Sequence, residues 1–201
     1  MPPSSQPHAG HGTRDHRVRF RLTLGVAGWQ ASAREGEPLR IPGRPPLRWE
    51  SLPVAYRTDA EVQDYLAWLQ ETGRVVGARL CREREWERAA RGADERRYPH
   101  GDVLRPGDGN IDETFGRDPR AMGPAEVGAY PLVRSPFGVD DLLGNSWEPT
   151  LSEDGERILR GGCFFQDRQV ARSANREPAA GLGRSVYVGL RVCAATPAEL
   201  R

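Results

Sequence analysis

One loop in the C-terminal third runs Asp140-Asp141-Leu142-Leu143-Gly144-Asn145-Ser146-Trp147-Glu148. It offers carboxylates at Asp141 and Glu148 and, between them, the backbone carbonyls of Gly144 and Ser146. Calcium takes six to eight oxygens at about 2.3–2.6 Å, and carboxylates mixed with carbonyls on one tight turn suit it. The plainer alternative is that Asp141 and Glu148 accept loop N–H groups without any metal. Asn145 reads as a hydrogen bonder that fixes the loop. Other chemistry-bearing residues are sparse. Cys81, Cys163 and Cys193 are too few and too scattered for a disulfide scaffold or a thiolate cage, and each reads as a small buried apolar side chain. His8, His11 and His16 lie in an arm without a thiol partner, where a solvated tail is expected, which leaves His100 as the remaining histidine. All 29 basic residues are arginine, which excludes Schiff-base lysine chemistry.

The elements that position these residues follow from composition and periodicity. The chain has 201 residues, 37% of them apolar and 28% charged, a balance that predicts one folded domain. Its net charge of +1 argues against a nucleic-acid footprint over the whole surface, and no stretch has the roughly 18 uncharged apolar residues of a membrane span. The start also lacks the apolar run of a secretory leader, so a cytoplasmic location, or membership of a larger multidomain chain, is expected. Gly (23) and Pro (17) make up a fifth of the sequence, which excludes long helices and predicts a loop-rich fold. Residues 1–16 read as a disordered arm, 17–195 as the domain and 196–201 as a tail.

Val18 to Leu24 alternates apolar and charged residues and predicts a half-buried strand. Thr58-Asp59-Ala60-Glu61 forms a capping box ahead of Val62, Tyr65, Leu66 and Leu69, an apolar stripe, with Gly73 as the stop. A second helix is expected over Glu83 to Arg91, with Trp86, Ala89 and Ala90 inward and Gly92 ending it. Beyond Gly92 only short apolar pieces remain, namely Val127–Tyr130, Ile158–Leu159 and Val186–Val192. The fold class is α+β: two short helices, short antiparallel strands and much ordered loop.

Four segments resemble the formylglycine-generating enzyme family, also called sulfatase-modifying factor domains. They are Leu52-Pro-Val-Ala-Tyr-Arg-Thr-Asp-Ala-Glu leading into Tyr65-Leu-Ala-Trp-Leu; Arg79-Leu-Cys-Arg-Glu-Arg-Glu-Trp-Glu with Tyr98-Pro-His-Gly-Asp102; Val127-Gly-Ala-Tyr-Pro through Pro136-Phe-Gly to Glu148; and Leu159-Arg-Gly-Gly-Cys-Phe with Arg172-Ser-Ala-Asn-Arg176 and Val188-Gly-Leu-Arg191. They stand in order over roughly residues 50–193. The resemblance implies a loop-rich variant of the C-type lectin fold. The family's N-terminal strand and helix have no recognisable counterpart, so residues 17–50 are either a shortened replacement or unrelated.

For function, the resemblance implies one of three classes: copper oxidases that make formylglycine, iron-dependent sulfoxide synthases whose histidines come from a partner domain, or binding proteins without chemistry. The oxidase needs two cysteines, three and eight residues after a Gly-Gly-Ser serine. Here Cys163 takes the serine's place and the two positions hold Gln166 and Ala171, so no copper is expected. With His100 as the remaining histidine outside the arm, the sulfoxide synthase reading needs a metal from another chain. The loop at Asp141, Gly144, Ser146 and Glu148 matches the family's structural calcium ligands. Asn110-Ile111 resembles the start of a second calcium site, whose later acidic ligand has no counterpart near Met122–Pro124. Arg160 and Arg191 read as structural pins for loop carbonyls.

The favoured expectation is a non-catalytic module that binds a protein or small-molecule ligand. Its surface would be the C-terminal groove presenting His100, Phe164, Phe165, Gln166, Arg168, Arg172, Asn175 and Tyr187, beside Pro149. The alternatives are a metal-dependent oxidase acting on a sulfatase-type cysteine or another thiol, and a variable binding protein of a diversity-generating retroelement.

Overall fold

The computed structural model describes residues 38–55, 57–179 and 184–195, together with the backbone of 19–22 and 29–32. The expectations for the arm, its three histidines and the tail fall outside these residues. No described helix is long and apolar enough to cross a membrane.

The first element is a hairpin, β1 (Arg19–Leu22) against β2 (Trp29–Ser32), antiparallel with Arg19 opposite Ser32 and Leu22 opposite Trp29. Within the stretch Val18 to Leu24, where alternation predicts a strand, the described residues Arg19–Leu22 form one. A Pro-rich stretch follows, pinned where Leu39 and Leu47 exchange both backbone hydrogen bonds at 2.8 Å and bury with Ile41.

Helix α1 (Asp59–Glu71) starts as its sequence dictates. Thr58 Oγ1 accepts from the Glu61 N–H at 3.3 Å, and Glu61 Oε2 accepts from the Thr58 N–H at 2.8 Å. Val62, Leu66 and Leu69 are buried, and Gly73 sits at φ 67° just past the end. Tyr65 departs from the expected stripe: it is exposed and stacks on exposed Trp68 with centroids 5.7 Å apart. The helix buries Val62 and Leu66 against Leu80, Leu151, Leu190 and Val192, a face that does not reach position 65.

After β3 (Ala78–Leu80), α2 (Glu83–Arg91) buries Trp86 and Ala90, leaves Ala89 half-buried and ends at Gly92, whose amide bonds Arg88 O at 3.0 Å. The remaining strands are β4 (Glu148–Leu151), β5 (Arg157–Arg160), β6 (Glu177–Pro178) and β7 (Val192–Ala194). Among the described residues they form a three-stranded antiparallel sheet, β4-β5-β6, and a separate pair, β3-β7. Val127–Tyr130 is no strand; Val127 is exposed in a turn.

The reading of all three cysteines as free is corrected for two of them. Cys81 and Cys193 form a disulfide, with Cα atoms 4.9 Å apart and 112 residues between them in sequence. Antiparallel pairing of β3 with β7 brings them together, a proximity that sequence spacing does not reveal. Cys163 stays free and buried.

Candidate functional site

The site is built where four loops meet. Residues 141–146 wind tightly, with Asp141, Gly144 and Asn145 all at positive φ (60°, 69° and 65°). Gly144 is the one that must be glycine. A Cβ there would stand 2.3 Å from the Asn110 carbonyl oxygen, because residues 110 and 144 run side by side as a parallel bridge. Asn145 then acts as the expected loop fixer. Its Oδ1 accepts from the Ala125 N–H at 2.8 Å and from Asn110 Nδ2 at 3.0 Å, and its Nδ2 donates to Ala125 O at 3.2 Å.

Asp141, Gly144, Ser146 and Glu148 line one cavity of about 310 Å³, with Leu52, Val54 and Val127 on one wall and Gly189 to Val192 on another. The structure therefore assembles the four residues that the sequence pattern put together. It also adds a group the pattern did not place there. Arg191 grips Glu148 with both prongs, Nε to Oε2 at 2.6 Å and Nη2 to Oε1 at 2.7 Å, and Nη2 reaches the carbonyls of Asp140 (3.0 Å) and Asp141 (3.3 Å). Glu148 Oε2 also accepts from the buried Trp86 indole at 2.5 Å. Burial works against the Arg191 charge, but Glu148, Asp141 and Asp140 outweigh it and hold the guanidinium above its ordinary value.

The oxygens suit calcium in kind, as carboxylate plus carbonyl donors. Several are already engaged. Glu148 is committed to Arg191 and Trp86, Asp141 Oδ2 accepts from the Gly128 N–H at 2.8 Å, and Gly144 O accepts from the Ser146 N–H at 2.8 Å. The carboxylates of Asp141 and Glu148 together with Arg191 leave the cavity one net negative charge.

Asn110-Ile111 is a strut. Asn110 is fully buried, and its Nδ2 donates to Gly123 O at 2.9 Å as well as to Asn145, while its own carbonyl accepts from the Asn145 N–H at 2.8 Å. Arg44 Nη1 donates to the same Gly123 carbonyl at 2.9 Å, which puts a guanidinium at this junction; burial lowers its pKa. Ile111 packs into a core cluster with Tyr98, Leu104 and Leu143. Asn110 Oδ1 has no partner among the described residues.

The expected binding groove is divided by the structure. Phe164 is core, 1% exposed against Met122, and Pro149 is buried in β4, so neither is surface. Phe165 and Tyr187 are half-buried and meet edge to face at 5.0 Å. Gln166 turns inward, where its Oε1 accepts from Cys163 Sγ at 3.2 Å. Arg168 is held by Glu113, which the hydrogen bond from Arg168, and then its charge, pulls below the usual carboxylate range. His100 lies beside this segment: Tyr98, whose ring stands 6.4 Å from the His100 ring, donates to Arg168 O at 3.1 Å, and His100 Nε2 lies 3.0 Å from Val103 O and 3.3 Å from Asp108 Oδ2. Arg172 and Asn175 belong to a turn held from beneath by fully buried Arg160, which donates to the carbonyls of Ser173, Ala174 and Asn175 and to Glu87. The pinning role read for Arg160 and Arg191 is thus seen directly.

Where a copper oxidase needs thiolates, Ala171 is fully buried with only a methyl group. Burial pushes the Cys163 thiol up to about 12, so it is protonated at neutral pH. Among the described residues no three His, Cys, Asp or Glu side chains cluster in a way that would hold a metal ion.

The family model described as the Sulfatase-modifying factor enzyme 1-like domain matches residues 26–196. The chain belongs to the sulfatase-modifying factor family. Within it, the sequence is 30% identical to the hercynine oxygenase of Mycobacterium tuberculosis over 206 residues, covering 88% of this chain and 44% of that protein. It is 42% identical to the formylglycine-generating enzyme of the same organism over 86 residues, covering 40% of this chain and 29% of that one. The chain thus spans less than half the length of these relatives. In fold it resembles PvdO from Pseudomonas aeruginosa, with TM-score 0.58 at 22% identity, covering 86% of this chain and 71% of that one. It likewise resembles Treponema denticola variable protein 1, with TM-score 0.61 at 14% identity, covering 88% and 91%. The architecture is the C-type-lectin-like fold expected from the motifs.

Proposed function

We propose that this sulfatase-modifying factor domain is a recognition module without oxidase chemistry, which binds a protein or small-molecule ligand. The observation that carries the reading is the state of Cys163 and the two positions after it. The thiol is buried and protonated and donates to an amide, while Gln166 and Ala171 stand where thiolates would have to be. A soft cuprous ion needs thiolates, and one neutral thiol with an amide does not replace them. A relative named inactive C-alpha-formylglycine-generating enzyme 2, from Bos taurus, is 33% identical over 124 residues, covering 56% of this chain and 38% of that protein, and fits the same reading. The ligand-facing part would be the half-buried rim of His100, Phe165, Arg168 and Tyr187.

We further propose calcium as a structural ligand of the cavity, held by Asp141 and by the Gly144 and Ser146 carbonyls, with Glu148 shared with Arg191. With so few free carboxylate oxygens the affinity belongs at the weak end, at a Kd of about 0.1–1 mM. Calorimetry of chelator-stripped protein is expected to show heat and a raised melting temperature on adding calcium; neither appearing would remove the calcium proposal alone.

The identity to hercynine oxygenases supports a second reading, oxidation of a thiol substrate with a metal supplied from outside the described residues. Metal analysis together with oxygen uptake on a cysteine peptide and on a small thiol separates the two. The recognition reading expects neither copper nor iron in stoichiometric amount and no uptake. Metal-dependent uptake that disappears in Cys163→Ser would overturn it.

A further inference from the structure

The cross-link between Cys81 and Cys193 is placed where it touches more than its own strands. Cys81 is sealed in a cluster with Trp86, Ala90 and Leu142, while Cys193 is half-buried at the centre of β7, opposite Arg79. Among the described residues β7 is three residues long and pairs with β3 alone, so few ladder bonds hold it. Immediately before it, Leu190, Arg191 and Val192 form one wall of the 310 Å³ cavity, and Arg191 is the residue that clamps Glu148. The opposite end of the clamp shares the same cluster, since Trp86 donates to Glu148 and packs with Cys81. Covalent bond, cavity wall and clamp therefore belong to one short stretch of chain.

We propose that the Cys81–Cys193 disulfide is a redox latch on this cavity. Bonded, it fixes β7 so that Arg191 holds Glu148 and the wall stays closed. Cut, it leaves residues 190–195 with three residues of pairing, and the wall opens. The reductant is a dithiol. One of its thiolates attacks Cys193 Sγ, the less buried sulfur, and forms a mixed disulfide. The electron pair of the broken S–S bond goes to Cys81 Sγ, which takes up a proton. The second thiol of the reductant then displaces Cys193 Sγ, which also ends as a thiol, and the reductant leaves as a cyclic disulfide. Such a cross-link persists in oxidising surroundings and yields where dithiols are abundant. The latch does not depend on what the cavity binds.

Hydrogen exchange on the whole chain, oxidised and after dithiothreitol, tests it. Protein purified without reductant is expected to show one thiol on denaturation and three after reduction. Reduction is expected to speed exchange at least tenfold in 190–195 and also in 144–148 across the cavity, while Ile158 to Arg160 in β5 keeps its protection. Reoxidation restores both, and Cys193→Ser reproduces the reduced pattern; if that variant does not fold, the reversible change in the natural protein decides. Three thiols before reduction, an effect confined to 78–82 and 192–195, or loss of protection in β5 as well would each overturn the proposal.

Discussion

Cys163 is buried and Arg191 half-buried, each beside a polar partner, yet single substitutions there should behave in opposite ways. The Cys163 thiol is pushed up to about 12 by burial, which leaves on the order of a thousandfold less thiolate at neutral pH than an ordinary cysteine carries. Native protein at pH 8 should therefore resist iodoacetamide at this residue and take it up at once when unfolded; peptide mass spectrometry reads both. Rapid labelling of the native form would show that Cys163 is not sealed from solvent. Arg191 is different because its removal strands a charge. Glu148 would keep one indole donor and lose two charged hydrogen bonds in a site where it is 8% exposed. Arg191→Ala should cost about 3–5 kcal/mol in a urea titration. Arg168→Ala removes an equally close pair with Glu113, but Arg168 is 40% exposed, and about 0–1 kcal/mol is expected. Equal losses for the two would mean that burial does not set the value of these pairs.

Helix α1 was legible residue by residue because its start rests on local chemistry: a hydroxyl, three residues and a carboxylate. Glu61 carries this into a pH dependence. Its carboxyl is held at about 2, first by the hydrogen bond from the Thr58 N–H and then by Arg184. The folded value lies below the ordinary one near 4.5, so the contribution is fully present above that value and fades as the pH falls through 2. Melting temperature should decline between pH 4.5 and 2, and Glu61→Gln should lower it at pH 7 while flattening part of that decline. An unchanged acid limb in the variant would show that the cap does not contribute. The strands were far less legible. β4 to β7 are two to four residues long, too short for alternation to register, and while β4 and β5 pair as neighbours, β7 pairs with the distant β3. The same distance hid the disulfide, because nothing local to Cys81 or Cys193 points across 112 residues to the other. Tyr65 was misplaced for a related reason: helical periodicity shows a stripe but not how wide a partner the fold will supply.

Across the whole molecule, the apolar core is split into small clusters, and polar struts join the loops between them. The sequence pattern identified the strut residues Asn145, Arg160 and Arg191 because their types have few other uses on tight loops. It did not reveal their partners, which are mostly backbone carbonyls and amides without a residue signature. It likewise misjudged Phe164, since a groove and a core can share the same aromatic residue. If polar struts carry the architecture, removing one should rival removing a core side chain. Asn145→Ala would leave the Ala125 N–H and C=O without partners in a dry junction and take one of its two acceptors from the Asn110 amide, which keeps Gly123 O, at about 1–3 kcal/mol for each group that finds no water. Leu142→Ala, which empties space beside Trp86, should cost about 2–5 kcal/mol. Leu132→Ala, at a side chain 86% exposed, should stay within about 0.5 kcal/mol of the natural protein. Chemical denaturation of the three variants ranks them. Asn145→Ala beside Leu142→Ala is the expected order, because the residue joins loops 110, 125 and 145 that share no regular ladder. Were Asn145→Ala to fall beside Leu132→Ala instead, the loops would have to be held by their apolar clusters alone.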